Sequence, residues 1–301
     1  MHNAALYGTA VMSWGLTPIG IKLQLVIVEP EMAVAYRFGL GALLLLLWCL
    51  WRRRSLRFDL RQHRYIALQG VLMFSFTDIA VYNAIARVTS GLVALVFSLL
   101  PIAIMLLGAA LIGLRVRPRV AAAAAVGLAG IGMVFSPELE GFDLSSDGLV
   151  GLGLALAGVL SLALGNITAA RNFGAGLPVL ETTALGMAYG SICSLVISLA
   201  LGGAPSWSFS ATFLGGYLWV AVFGTAVAFM CYLVLLDRIG PDRVAYTVVM
   251  VPVVALTVSS VFEDYEWTAV SLVGAAIVLV GSILALGKTG RAEPVAPPRT
   301  P

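Results

Sequence analysis

Three consecutive segments decide the fold: MAVAYRFGLGALLLLLWCLW at 32–51, RRRSLRFDLRQHR at 52–64 and YIALQGVLMFSFTDIAVYNAIA at 65–86. The first and third are each about 20 predominantly apolar residues long, the length a helix needs to cross the ~30 Å hydrocarbon core of a bilayer. The middle segment holds six arginines, the kind of loop that stays on one side of a membrane. The three together read as two spanning helices joined by a short basic loop. Each span also carries one charge, Arg37 in the first and Asp78 in the second.

The same pattern extends in both directions. Apolar stretches fall at 5–28, 32–51, 65–86, 91–113, 120–136, 148–170, 179–201, 212–236, 244–262 and 268–287, ten in all over 301 residues. The chain is 60% hydrophobic and 11% charged, less than half the roughly 25% charged residues of a soluble domain. Little sequence is left outside the stretches for a separate catalytic domain, and the composition excludes a secreted disulfide scaffold, a nucleic-acid binder and a disordered chain. The expected fold class is all-α integral membrane. The first stretch lacks a basic leader and a small-residue cleavage site, so it reads as a retained span. The Pro-rich tail 288–301 reads as disordered.

Loop charges give the orientation. With ten spans both termini share one side, and counting Lys and Arg in the loops and tail on that side gives fifteen, against Arg87 alone opposite. The opposite loops carry Glu29, Glu31, Glu138, Glu140, Asp143, Asp147, Glu263, Asp264 and Glu266. By the positive-inside rule both termini are expected in the cytoplasm.

An internal repeat follows from a shift of 151. Ala94 then meets Ala245, Pro101 meets Pro252, Ala124 and Ala125 meet Ala275 and Ala276, Leu128 meets Leu279, and Gly130 meets Gly281. With a one-residue gap, Tyr82 falls on Tyr232. Halves of five spans each insert with opposite orientation, and inverted repeats place a substrate site near their interface. The expected units are 1–140 and 141–287 around a central cavity.

Candidate site residues come from polar groups at membrane depth, where charge is costly unless paired or wetted. Lys22 lies seven residues before Glu29, Arg37 seven after Pro30, and Asp78 nine before Arg87. At 1.5 Å per residue these depths are about 10, 10 and 13 Å below the outer boundary. Three charges on three spans share a layer whose net +1 suits a carboxylate or other anion, with Arg37 the better clamp because its planar fork binds two oxygens. The alternative is that Lys22 snorkels outward and Arg37–Asp78 is a structural pair. Trp14 lies near mid-bilayer, and Pro18 should kink the first span and free a carbonyl there. Pro101 and Pro252 read as matched kinks, with Ser98 and Met250 toward the cavity. Asn166 and Thr168 in the sixth stretch should face inward, and Tyr82, Asn83, Tyr232 and Tyr246 supply further polar groups. Glu181, just after Pro178, reads as a carboxylate stabilised at a helix start.

Cys49, Cys193 and Cys231 sit in apolar runs without metal spacing and read as small hydrophobes. No P-loop, HExxH or GxSxG occurs in the chain. Gly186 and Gly190, four apart, read as helix-packing positions. No cofactor, metal or catalytic residue is expected.

Several of these residues carry a resemblance. Trp14-Gly15 followed by Lys22, Tyr36-Arg37-Phe38, and Tyr82 ahead of an Ala-rich run and Pro101 resemble EamA-type proteins of the drug/metabolite transporter superfamily. So do Pro252-Val253-Val254-Ala255 leading to Glu263 and the Gly274–Gly281 span. The likeness covers about residues 5–287. One departure is the end of the fourth span, Ile112-Gly113-Leu114-Arg115, where the family commonly has an acid before a base. The resemblance implies ten helices as two inverted five-helix repeats that move small metabolites, often outward, without ATP hydrolysis. Its expected partners are a small-molecule substrate and the lipid bilayer of a bacterial inner membrane. Amino acids or related compounds are the first expectation for substrate. Coupling to protons through Asp78, facilitated diffusion, and a monomer or a homodimer all remain open. The rival functions are export of cationic drugs by the same fold, and a membrane-embedded enzyme on lipid-linked substrates. The enzyme would need a His, Asp or Cys constellation at one membrane face.

Overall fold

The computed structural model describes residues 2–88, 93, 96–113, 118–134, 146–262 and 268–286, and among these every regular element is helical. In chain order they are α1 (Asn3–Gly15), α2 (Thr17–Leu25), α3 (Pro30–Trp51), α4 (Leu60–Val71) and α5 (Thr77–Ile85), then α6 (Leu100–Ile112), α7 (Pro118–Val134), α8 (Ser146–Gly174) and α9 (Val179–Ala200). The remainder are α10 (Ala211–Trp219), α11 (Ala228–Ile239), α12 (Pro241–Val244), α13 (Tyr246–Phe262) and α14 (Ala269–Leu286). Helix occurs in each of the ten apolar stretches. Among the described residues, five runs are long and apolar enough to cross a membrane: Pro30–Trp51, Leu60–Ile85, Asp147–Gly174, Val179–Ala200 and Ala211–Ile239.

Helix ends follow local chemistry. Pro30 opens α3, where its missing N–H costs nothing. Asp59 and Gln62 form a reciprocal capping box at the start of α4. Gly240 turns the chain between α11 and α12 at φ +88, a conformation open to glycine, and Pro241 opens the next helix. Glu181 lies in the first turn of α9 and is 4% exposed.

Two of the long runs are interrupted by wider π-helical turns. Leu72–Phe76 separates α4 from α5, and Val220–Val227 separates α10 from α11. Each turn has a threonine that donates to a carbonyl five residues back. Thr77 Oγ1 bonds Leu72 O at 2.7 Å, and Thr225 Oγ1 bonds Val220 O at 3.0 Å. Side chains from neighbouring helices bond the same turns: Ser161 Oγ donates to Leu72 O at 2.8 Å and Trp14 Nε1 to Gly224 O at 3.0 Å. Backbone groups loosened by a π-turn are thereby satisfied without water, as a membrane interior requires.

The kinks differ from one another. The first stretch breaks at Leu16, between α1 and α2, two residues ahead of Pro18. Pro101 is the second residue of α6, just after a turn at Ser98–Leu99, the place that Pro18 holds in α2 after the turn at Leu16, where the first turn of a helix has no intrahelical N–H bond to lose. Pro252 does lie inside a continuous helix, α13. Glu263 and the tail 288–301 lie outside the described residues.

Packing brings distant helices together. α3 runs along α9, α4 packs on α8 and α9, α5 and α6 on α8, α1 on α11 and α13, α2 on α10, and α7 on α14. Glycines allow the closest crossings. A Cβ on Gly70 would overlap the Gly186 carbonyl, one on Gly130 would approach the Gly274 carbonyl oxygen to 2.7 Å, and one on Gly224 would meet Thr17 Oγ1 at 2.5 Å. Small residues at such crossings let backbones approach where lipid supplies no hydrophobic drive for association.

Candidate functional site

Arg37 is 4% exposed and Asp78 9% exposed, facing each other across α3 and α5. The guanidinium is held on two sides. Nη1 donates to Asp78 Oδ1 at 2.9 Å and to the Tyr82 hydroxyl at 3.4 Å, and Nε donates to Thr225 Oγ1 at 2.7 Å. The pair therefore links two adjacent spans to the π-turn of a third. A charged pair in an apolar interior survives only when its remaining hydrogen-bonding capacity is used, which Tyr82 and Thr225 accomplish. Tyr82 itself is 1% exposed.

One residue away along the same π-turn a second group begins. The Trp14 indole donates to Gly224 O and its ring packs on Phe229 and Tyr232 with centroids 5.0 and 5.1 Å apart. The Tyr232 hydroxyl donates to Asn166 Oδ1 at 2.6 Å, and Asn166 Nδ2 donates to Leu162 O at 2.8 Å within α8. Phe229 also meets Phe38, the neighbour of Arg37, at 5.8 Å. The turn Val220–Val227 thus bonds Arg37 of α3 through Thr225 and Trp14 of α1 through Gly224, and the Trp14 ring continues through Tyr232 of α11 to Asn166 of α8.

The other candidates are dispersed. Asn83 Nδ2 donates to Glu31 Oε1 at 2.7 Å, and Arg87 Nη1 donates to the Asn83 carbonyl at 2.7 Å, one turn beyond Tyr82. Tyr246 and Met250 lie in a separate apolar cluster with Val11, Met105, Val249, Ala275 and Val278. Val11 brings α1 into this cluster, and the Tyr7 hydroxyl of the same helix donates to Tyr246 O at 3.0 Å. Ser98 is buried at the turn before α6, and Thr168 Oγ1 bonds Leu164 O within its own helix. Lys22 lies on α2, but its side chain, like that of Pro18, is outside the described residues. Among the described residues no group of three or more His, Cys, Asp and Glu could hold a metal ion. Cys49 and Cys231 are buried and Cys193 is half-buried, all as free thiols.

Sequence reading missed Thr225. Its signal is a threonine in an apolar run next to a glycine, 148 positions after Thr77. That match becomes visible only once both are seen to close a π-turn.

Among the described residues every regular element is helical, several helices are of membrane length, and a hydrogen-bonded ion pair is buried among them, the features of a polytopic membrane protein. The chain belongs to the EamA-like transporter family, whose sequence model matches residues 4–136 and again 149–287. It is 30% identical over 282 residues to the protein of Escherichia coli strain K12 named as the uncharacterized inner membrane transporter YedA, covering 89% of this chain and 86% of that one. It is 27% identical over 233 residues to the protein PecM of Dickeya dadantii, covering 75% and 76%. A crystal structure 20% identical in sequence superposes with a TM-score of 0.79 over 94% of this chain and 96% of that one, which shows the shared fold.

Proposed function

We propose that this protein is a secondary transporter of the bacterial cytoplasmic membrane that exports small polar metabolites, amino acids or related compounds first among them. The observation that carries the reading is the Arg37–Asp78 pair, buried in the first half of the chain and bonded to Thr225 in the second. A cation held by one carboxylate and two hydroxyls can exchange a partner for a substrate carboxylate without being left bare in a dry site. Trp14, bonded to the same turn, and Tyr232 and Asn166, linked to it through the Trp14 ring, would receive the apolar and amide parts of such a substrate. Asp78, released from Arg37, would be the group that accepts a coupling proton.

In this reading all ten helical stretches cross the membrane as two inverted five-helix units, 1–140 and 141–287, with both termini and the tail 288–301 in the cytoplasm. Two observations support the grouping. The family model matches each half separately. The helix contacts also repeat when the halves are exchanged: α4 and α5 on α8 mirror α10 and α11 on the α1–α2 span, and α3 on the second π-turn mirrors α9 on the first. Alternating access would then be a rocking of one unit against the other.

The test is counterflow uptake into proteoliposomes with labelled amino acids, purines and a cationic drug, comparing the parent with Arg37→Ala. Amino-acid uptake abolished by the substitution supports the proposal. Uptake of the drug alone, indifferent to Arg37, would replace it with drug export.

A further inference from the structure

The loop that joins α3 to α4 has chemistry that transport does not use. Six arginines lie between residues 52 and 64 and all are exposed. The nearby acids are occupied: Asp59 accepts the Gln62 amide at 2.7 Å in the capping box, and Glu181 is buried with only Arg54 at 3.9 Å from it. Arg52, Arg53, Arg57, Arg61 and Arg64 therefore form a cationic surface with no described ion pair.

Their position is informative. Trp48 and Trp51 are 47% and 69% exposed on the last turns of α3, beside exposed Leu47 and Leu50, and the Arg52 guanidinium lies over both indoles at 5.1 and 4.8 Å. On α4, Arg61 and Arg64 share a face with exposed Leu60 and Leu68, at helical spacings of three and four. On α3 the cation follows the exposed tryptophans by one to four residues, and on α4 Arg64 lies one turn before exposed Leu68, so on each helix a guanidinium borders exposed apolar side chains that lie further into the span. Exposed indoles with basic groups just outside them mark the headgroup level of a bilayer. The charge accordingly lies on the lipid-facing rim of the molecule.

We propose that this rim, Arg52 on its two tryptophans together with Arg57, Arg61 and Arg64, is a binding surface for anionic phospholipid headgroups. Guanidinium groups pair with phosphate oxygens two at a time, and basic residues at a membrane surface each add substantially to the attraction for anionic lipid. The inference rests on the chain being a membrane protein and is independent of what it carries.

The experiment is native mass spectrometry of the full-length protein purified with equimolar phosphatidylglycerol and phosphatidylcholine of the same acyl chains. The parent is expected to retain phosphatidylglycerol at least tenfold over phosphatidylcholine. The triple variant Arg57→Gln, Arg61→Gln, Arg64→Gln is expected to fall to within about twofold of parity, and the corresponding triple Lys variant to keep most of the preference. Equal retention of the two lipids by the parent, or an undiminished preference in the Gln variant, would overturn the proposal. If the triple Gln variant does not insert, single Arg57→Gln and Arg64→Gln variants give the same measurement. Each should lower the preference about threefold, and two unchanged singles would likewise overturn it. The counterflow assay stands apart from this readout, so failure of either proposal is seen separately.

Discussion

Arg37 Nε lies 2.7 Å from Thr225 Oγ1, a bond between residues 188 positions apart that joins the ion pair in one half of the chain to the π-turn in the other. Because Thr225 Oγ1 also donates to Val220 O, one hydroxyl both accepts from the cation and closes the widened turn. Loosening the ion pair and loosening the turn are therefore coupled events.

Removing one member of the pair should be costly and removing both should not. Arg37→Ala or Asp78→Asn leaves a buried charge without its partner, an expected loss of about 3–5 kcal/mol. Thermal unfolding in detergent should show a clearly lowered Tm for each single variant. The double Arg37→Met, Asp78→Leu variant should regain most of the Tm while remaining inactive in counterflow. Transport by the double variant would remove the pair from the site.

Arg37→Lys separates charge from geometry. Lysine keeps the positive charge but cannot reach Asp78 and Thr225 together with a planar fork. Normal expression with lost uptake is the expected result, and unimpaired uptake would assign Arg37 a purely structural role.

Thr225→Val and Thr225→Ser divide the hydroxyl from the methyl group. Valine leaves Arg37 Nε and the Val220 carbonyl each short of a partner, costing about 1–3 kcal/mol by the usual cost of an unmade buried bond. Serine keeps both bonds and should remain near parental stability. Equal Tm values for the two variants would show that the bond to Arg37 contributes nothing.

The glycine crossings predict a contrast between sites. Gly70→Ala puts a Cβ into the Gly186 carbonyl, and neither α4 nor α9 can yield without shifting backbone. Gly153→Ala, with no atom within 4 Å of the added carbon, should be neutral or slightly stabilising. Fluorescence-detected size-exclusion profiles after heating would separate the two, and a monodisperse, heat-resistant Gly70→Ala protein would contradict the packing described.

Much of this was legible in the sequence, for definite reasons. The spans are long and apolar, so hydropathy marks them without any knowledge of packing. Arg37 and Asp78 could be assigned one depth by counting residues from the span ends, since α-helical rise is constant, and they prove to be bonded. Trp14, Tyr232 and Asn166 each stand out in the sequence as a polar or aromatic group within a span, but nothing in their spacing says that Tyr232 touches both of the others, because helix-to-helix contact depends on rotation about each axis. Pro101 shows the same limit: a proline in an apolar run is equally consistent with a kink and with a helix start. The π-turns were invisible, since a single added residue barely alters an apolar pattern. Thr225 could be recognised only through them.

Those two turns set the angular phase of everything beyond them. Each α-helical residue advances the side-chain direction by about 100°, so an extra residue taken up in a turn swings the remainder of the helix by roughly that angle. Asp78 faces Arg37, and Tyr82 lies beside it, with the turn Leu72–Phe76 in place. Shortening this turn by one residue would restore a regular helix of nearly the same hydropathy, with its carboxylate rotated out of reach of the guanidinium. Chains that differ here by a single deletion would have almost the same hydropathy plot and would not build the same ion pair.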